Sequence, residues 1–103
     1  MQTHPKKRID IIVEAPLMRR IIDRLDQANA SGYSVMPIMA GRGHDGSWTA
    51  DGQISNATQM VAIMCITDAS KVDDLLKSIF AVISHQIGFV TISDVSVVRP
   101  ERF

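Results

Sequence analysis

The chain has 103 residues, 46% of them apolar and only 5% aromatic, and its eleven basic side chains are balanced by eleven acidic ones. That length supports one domain, residues 1–103, with one aliphatic core, and a neutral balance excludes a general attraction to nucleic acid, so any anion site must be local. A single cysteine, Cys65, excludes an internal disulfide framework, and no apolar run approaches the ~18 residues of a membrane span. The opening MQTHPKKRIDIIVEA has no secretion-type apolar core before the first strand, which together with the lone cysteine predicts a cytoplasmic location.

Ile9 to Glu14, rich in Ile and Val, predicts a buried strand. Pro16 suits the first turn of a helix, and Leu17, Ile21, Leu25 and Ala28 follow at helical spacing, with Arg19, Arg20, Asp23 and Asp26 largely off that stripe. Ser31-Gly32 is expected to end this helix and lead into a second strand, Tyr33 to Met39. A polar loop follows, carrying Gly41, Gly43, Gly46 and Gly52, four of the chain's six glycines. Connections of this length are uncommon in small domains unless they bind or dock onto something. Thr58 to Thr67 is apolar almost throughout and predicts a strand central in its sheet. Ser70 and Asp73 form a capping-box pattern at the start of a second helix, whose wide apolar face is Val72, Leu75, Leu76, Ile79, Val82, Ile83 and Ile87. Gly88 is expected to stop that helix before a fourth strand, Phe89 to Val98.

The order βαββαβ predicts an α+β, ferredoxin-like fold: an antiparallel four-stranded sheet with two helices on one face. The other face then lies open, yet the first, third and fourth strands have few polar residues to put there. Burying it between copies in a closed homo-oligomer is the simplest remedy.

Gly41-Arg42-Gly43-His44-Asp45-Gly46 spells G-x-G-x-x-G, but residues 47–52 show no helical stripe, which argues against a dinucleotide-binding turn and leaves a local anion loop or an ordinary exposed hairpin loop. His4, His44 and His85 are scattered without cysteine or carboxylate partners at ligand spacing, which argues against a metal site. Cys65 alternates within an apolar strand as a small core residue would, and Asp73-Asp74 suits a helix start. The run Lys6-Lys7-Arg8 reads as solvated surface charge. Arg99 and Arg102 flank Pro100 after the last strand, which holds two planar guanidinium forks near one place, a geometry suited to phosphate. Nothing in these patterns argues for catalysis.

The element order, Gly32-Tyr33-Ser34-Val35 opening the second strand, Gly41-Arg42-Gly43 entering the long loop and FVTISDVSVVRPER closing the chain resemble the PII signalling superfamily along nearly the whole length. The resemblance implies a trimer with its sheets facing inward, an adenine nucleotide in each cleft between subunits, and a T-loop, here about residues 42–56, that reports occupancy to partner proteins. It places Gly32, Tyr33 and Ser34 at the adenine or ribose, and Gly41, Arg42, Gly43 and His44 at phosphate together with Arg99 and Arg102. Met64 and Cys65, with Gly88, Phe89 and Val90, would line the cleft.

Several departures from the family pattern narrow the branch. The sole tyrosine, Tyr33, lies before the loop, so the family's T-loop tyrosine has no counterpart. His44-Asp45 stands where a glutamine helps hold Mg²⁺ and 2-oxoglutarate, and SHQIGFV replaces the TGxxGDGK segment, with Phe89 roughly where a lysine would be. The final arginines are spaced R-x-x-R instead of R-x-R. Losing outer-phosphate and metal groups while keeping an adenine cleft is similar to the PII-like branches associated with inorganic carbon uptake, and most of all to the carboxysome-associated form. That resemblance implies a non-enzymatic regulator binding ADP or AMP, with bicarbonate as a further ligand near Arg42 and His44 and a bicarbonate transporter or carboxysome-associated protein as partner. No metal, nucleic acid or direct membrane insertion is expected. Other occupants of the same plan are an acylphosphatase-like enzyme, a metal-tolerance trimer and an ACT-type amino-acid regulator. The first lacks an arginine or glycine loop after the first strand, where Glu14-Ala15-Pro16 stands, and the second lacks a Cys/His ligand pattern.

Overall fold

A computed structural model describes residues 1–43, 46–49 and 59–103. β1 (His4–Glu14) leads through a 3-10 turn at Ala15–Leu17 into α1 (Met18–Gln27). Then come β2 (Ser34–Ile38), β3 (Ala40–Gly43), β4 (Gly46–Thr49), β5 (Met60–Thr67), α2 (Val72–Ile83) and β6 (Gly88–Val97). The main sheet has the order β2-β5-β1-β6, antiparallel throughout, and β3 and β4 form a separate two-stranded ribbon. This is the expected ferredoxin-like plan, with the aliphatic β5 inside the sheet as its composition requires.

Registers fix which residues share a face, because directly paired residues of an antiparallel ladder point the same way. Ile9, Ile11 and Val13 of β1 stand beside Cys65, Ile63 and Val61 of β5. The buried core joins Ile9, Ile11, Val13 and Ile63 to Leu17, Ile21 and Leu25 from the first helical segment and to Leu75, Ile79, Val82 and Ile83 from α2. Each helix therefore contributes the stripe that its spacing predicts, while Arg19, Arg20, Asp23 and Asp26 stay exposed.

Termini and caps differ from expectation, for local reasons. α1 ends at Gln27, and the residue taking the left-handed conformation is Asn29 (φ 58), not Gly32. Asn29 N–H donates to the Asp26 carbonyl at 3.1 Å and Ala30 N–H to the Leu25 carbonyl at 3.0 Å, the double bond pattern of a Schellman cap. Ala30 packs against the core that holds Leu25, which completes the motif. The Ser70–Asp73 capping box does not form: Ser70 lies within a 3-10 turn, Ala69–Lys71, and α2 starts after it with no side-chain cap. Asp73 and Asp74 do occupy its first turn, where the helix dipole favours negative charge. α2 stops at Ile83, so Ile87 is outside the helix and 46% exposed, and Gly88 opens β6 instead of capping α2. β1 begins at His4, five residues before Ile9, because its first half pairs with the far half of β6, from His4 opposite Val97 to Arg8 opposite Ser93.

Candidate functional site

The sheet's uncovered face carries Ser34, Met36 and Ile38 from β2, Ala62, Met64 and Ile66 from β5, Arg8, Asp10 and Ile12 from β1, and Phe89, Thr91 and Ser93 from β6, as the registers dictate. Met36 and Phe89 are 40% and 55% exposed, so the face is open in one copy, its apolar residues interleaved with Ser34, Arg8, Asp10, Thr91 and Ser93, more polar groups than the strand composition leads one to expect. Within it the Arg8 guanidinium grips the Asp10 carboxylate, Nε donating to Oδ2 at 2.9 Å and Nη2 to Oδ1 at 3.0 Å. That bond and the carboxylate's charge raise the Arg8 pKa.

The expected ligand residues fall into separate groups. Gly32 and Tyr33 are exposed just before β2, and Ser34 pairs with Met64, so these four lie together at the β2 edge, with Met64 one strand in. Gly41 and Arg42 continue beyond the end of β2 into the ribbon, where Gly41 pairs with Trp48, Arg42 with Ser47 and Gly43 with Gly46. A strand at Gly46–Thr49, where the motif would need a helix to begin, is incompatible with a dinucleotide-binding turn. His44 lies outside the described residues, as do Asp45 and residues 50–58 of the expected T-loop; its described part is a paired stem, a feature the loop composition does not announce. Gly88, Phe89 and Val90 open β6 at the opposite sheet edge, facing Val13, Ile12 and Ile11. Three strand spacings, about 14 Å at ~4.8 Å each, separate the two edges. Arg99 and Arg102 follow the other end of β6, roughly 30 Å along the strand from Gly88. Both are exposed, and Arg99 Nε reaches Glu101 at 3.4 Å.

Two of these positions carry a packing role. Cys65 is fully buried beside Ile9 on the helix-covered face, so its thiol does not reach the open surface; burial pushes its pKa above the ordinary 9.0, against a smaller opposing pull from Lys71. Gly88 lies close against β1: a Cβ there would stand 2.8 Å from the Ile12 carbonyl oxygen and 2.9 Å from Val13 Cγ1. Gly32, by contrast, has nothing within 4 Å of such a Cβ.

The nitrogen regulatory protein P-II model matches residues 6–102. The chain belongs to the P-II family. Among solved structures, CPII, a nitrogen regulatory PII-like protein from Thiomonas intermedia K12 bound to ADP, AMP and bicarbonate, matches with a TM-score of 0.90 at 24% identity, covering 99% of this chain and 96% of that one. CPII bound to ADP and bicarbonate matches at 25% identity and a TM-score of 0.85, over 99% of this chain and 97% of that one. A putative PII-like signalling protein from Thermus thermophilus matches at 21% identity and a TM-score of 0.84, over 100% of this chain and 99% of that one. No curated protein matches the chain. These neighbours share the fold of this chain along nearly its whole length.

Within this P-II chain, a concavity among the described residues lies elsewhere: ≈ 510 Å³ lined by Pro5, Lys6, Lys7, Ala69, Asp94, Val95 and Ser96, with none of the expected ligand residues. The basic run beside it is not a free patch. Lys6 pairs with Asp68, Lys7 with Asp94 and Arg8 with Asp10. The sequence holds no signal for the first two pairs, whose members stand 62 and 87 residues apart. No described helix is long and apolar enough to cross a membrane.

Proposed function

We propose that this P-II chain is a non-enzymatic, cytoplasmic sensor, one domain across residues 1–103, that binds ADP or AMP in clefts between three copies of itself. The observation that carries the reading is the match to CPII bound to ADP and bicarbonate, which spans 99% of this chain at a TM-score of 0.85. The placement of the ligand residues supports it. In one copy, Gly32, Tyr33 and Ser34 occupy the β2 edge, with Met64 one strand in, while Gly88, Phe89, Val90 and the two arginines follow the other edge. A second copy brought alongside is the simple way to close a pocket from such halves, and covering the open face supplies the driving force for it.

In this reading Gly32, Tyr33 and Ser34 meet the adenosine, Gly41 to His44 and Arg99 and Arg102 meet phosphate, and Phe89 leaves a γ-phosphate without a neutralising lysine. One missing charged hydrogen bond costs about 1.5–3 kcal/mol, or roughly ten- to hundred-fold in affinity, which favours ADP and AMP over ATP. Bicarbonate near Arg42 and His44 would couple to nucleotide binding, each ligand tightening the other by the same factor. The T-loop, about 42–56, would then present Trp48 to a bicarbonate transporter or a carboxysome-associated partner. Titration calorimetry with AMP, ADP, ATP and cyclic AMP, with and without bicarbonate, tests this. Micromolar-range binding of ADP or AMP, strengthened by bicarbonate, is expected; a folded assembly giving no heat with any nucleotide overturns it.

A further inference from the structure

Lys6, Lys7 and Arg8 each have a carboxylate partner, but Lys6 differs from its neighbours in two ways. Its side chain is 11% exposed, against 36% and 42% for Lys7 and Arg8. Its Nζ also donates to the backbone carbonyl of Phe103 at 3.4 Å, in addition to its bond to Asp68. Lys6 thereby joins three pieces of chain: an interior strand of the sheet, the residue just past β5, and the segment that follows β6.

That last segment bears Arg99 and Arg102. It is a three-residue 3-10 turn, Pro100–Arg102, closed by Arg102 N–H to the Arg99 carbonyl and Phe103 N–H to the Pro100 carbonyl, both at 3.1 Å. A turn so short has no cooperative stability of its own, so its attitude to the sheet depends on ties to other elements. Guanidinium forks gain their advantage over lysine at phosphate only when their approach is held. Holding it before the ligand arrives removes an ordering cost from binding.

We propose that Lys6 is a positioning residue: anchored on Asp68, it holds the turn through the Phe103 carbonyl so that Arg99 and Arg102 converge on nucleotide phosphate. The inference rests on the nucleotide reading above. The ammonium of Lys6, largely buried and paired, acts through the turn and is not itself the phosphate ligand.

The test compares Lys6→Met, which keeps the aliphatic stem, with Lys7→Met, which removes an equal charge one residue away. Hydrogen exchange at the Arg102 and Phe103 amides and ADP titration are read on both, on Arg102→Ala, and on the Lys6→Met/Arg102→Ala double variant. Lys6→Met should speed exchange at both amides and weaken ADP about tenfold, the scale of one lost charge-assisted contact, whereas Lys7→Met leaves ADP affinity within about twofold. In the double variant the loss relative to Arg102→Ala should be smaller than the loss Lys6→Met causes alone, because the Arg102 share of the positioning is already gone and only the Arg99 share remains. Lys6→Arg, which can still bridge Asp68 and Phe103, should restore most of the affinity. Wild-type ADP affinity in Lys6→Met, equal losses in Lys6→Met and Lys7→Met, or independent multiplication with Arg102→Ala overturns the positioning role while leaving the nucleotide reading intact. Absence of ADP binding by the unaltered protein overturns both.

Discussion

The two faces of the sheet are built from the same strands, yet only one is finished within a single copy. On the helix-covered face Ile9, Ile11, Val13, Ile63 and Cys65 are fully buried. On the other, Ile12, Ala62, Met64 and Ile66 are half-buried, and Met36 and Phe89 more exposed, although they are neighbours of the buried set in the same ladders. The Arg8–Asp10 pair sits among them with 42% and 23% of its side chains exposed. One face stores the stability of the chain, and the other is the one that the proposed assembly would cover. Substitutions on the two faces should therefore fail differently.

The largest effect is expected on the covered face. Ile63→Ala leaves a cavity between sheet and helices and should cost about 2–5 kcal/mol, seen as a lower urea midpoint with ADP absent. Next, Ile12→Asp on the open face should leave the circular-dichroism spectrum of a folded chain but shift sedimentation from an assembly to a monomer, because a carboxylate there is tolerated in water and not between copies. Unchanged sedimentation of Ile12→Asp would remove the open face from the interface. A smaller pair sharpens the contrast at the edges. Gly88→Ala forces a Cβ to within 2.8 Å of the Ile12 carbonyl oxygen and should destabilise by about 1–3 kcal/mol. Gly32→Ala meets nothing and should lie within about 0.5 kcal/mol of the parent, so any loss of ADP affinity in it reports the ligand and not the fold.

The smallest effect is electrostatic. The hydrogen bond from Lys6, then its charge, holds the Asp68 pKa below the ordinary 3.8. A carboxylate depressed on folding adds stability that is complete above 3.8 and fades as pH falls through the lower folded value. Acid titration of Asp68→Asn should therefore show a slightly flatter loss of stability below pH 3.8 than the parent, with the two alike in slope near neutrality. Identical acid limbs would mean the pair contributes nothing measurable, as many exposed pairs do.

Much of the fold is legible because it is written in short-range periodicity. Leu17, Ile21 and Leu25, and Leu75, Ile79 and Val82, mark their helices by spacing alone, and the unbroken MVAIMCIT of β5 marks an interior strand. The end of α1 escapes a local reading because Ser31-Gly32 looks like the stop, whereas Asn29 supports the left-handed cap equally well. The first half of β1 escapes it because Lys6-Lys7-Arg8 looks like a solvated terminus. Its strand character comes from the ladder with β6 and from Asp68 and Asp94, which no local pattern reveals.

The candidate site divides along the same line. Tyr33 and Ser34 before and in β2, the glycines around Arg42, and the Arg99–Arg102 pair stand out in the sequence by residue type, because phosphate and base recognition need particular chemistry at short spacing. Their distribution does not. Which strands become edges is decided by the order β2-β5-β1-β6, and that order puts the β2 group and the β6 group on opposite sides of one copy. Likewise Cys65 and Gly88, named by position as cleft residues, face the core and a neighbouring backbone once the sheet is assembled. Residue type is a local property of the chain, but proximity depends on hydrogen-bonded pairing between segments tens of residues apart, and only the folded sheet supplies it.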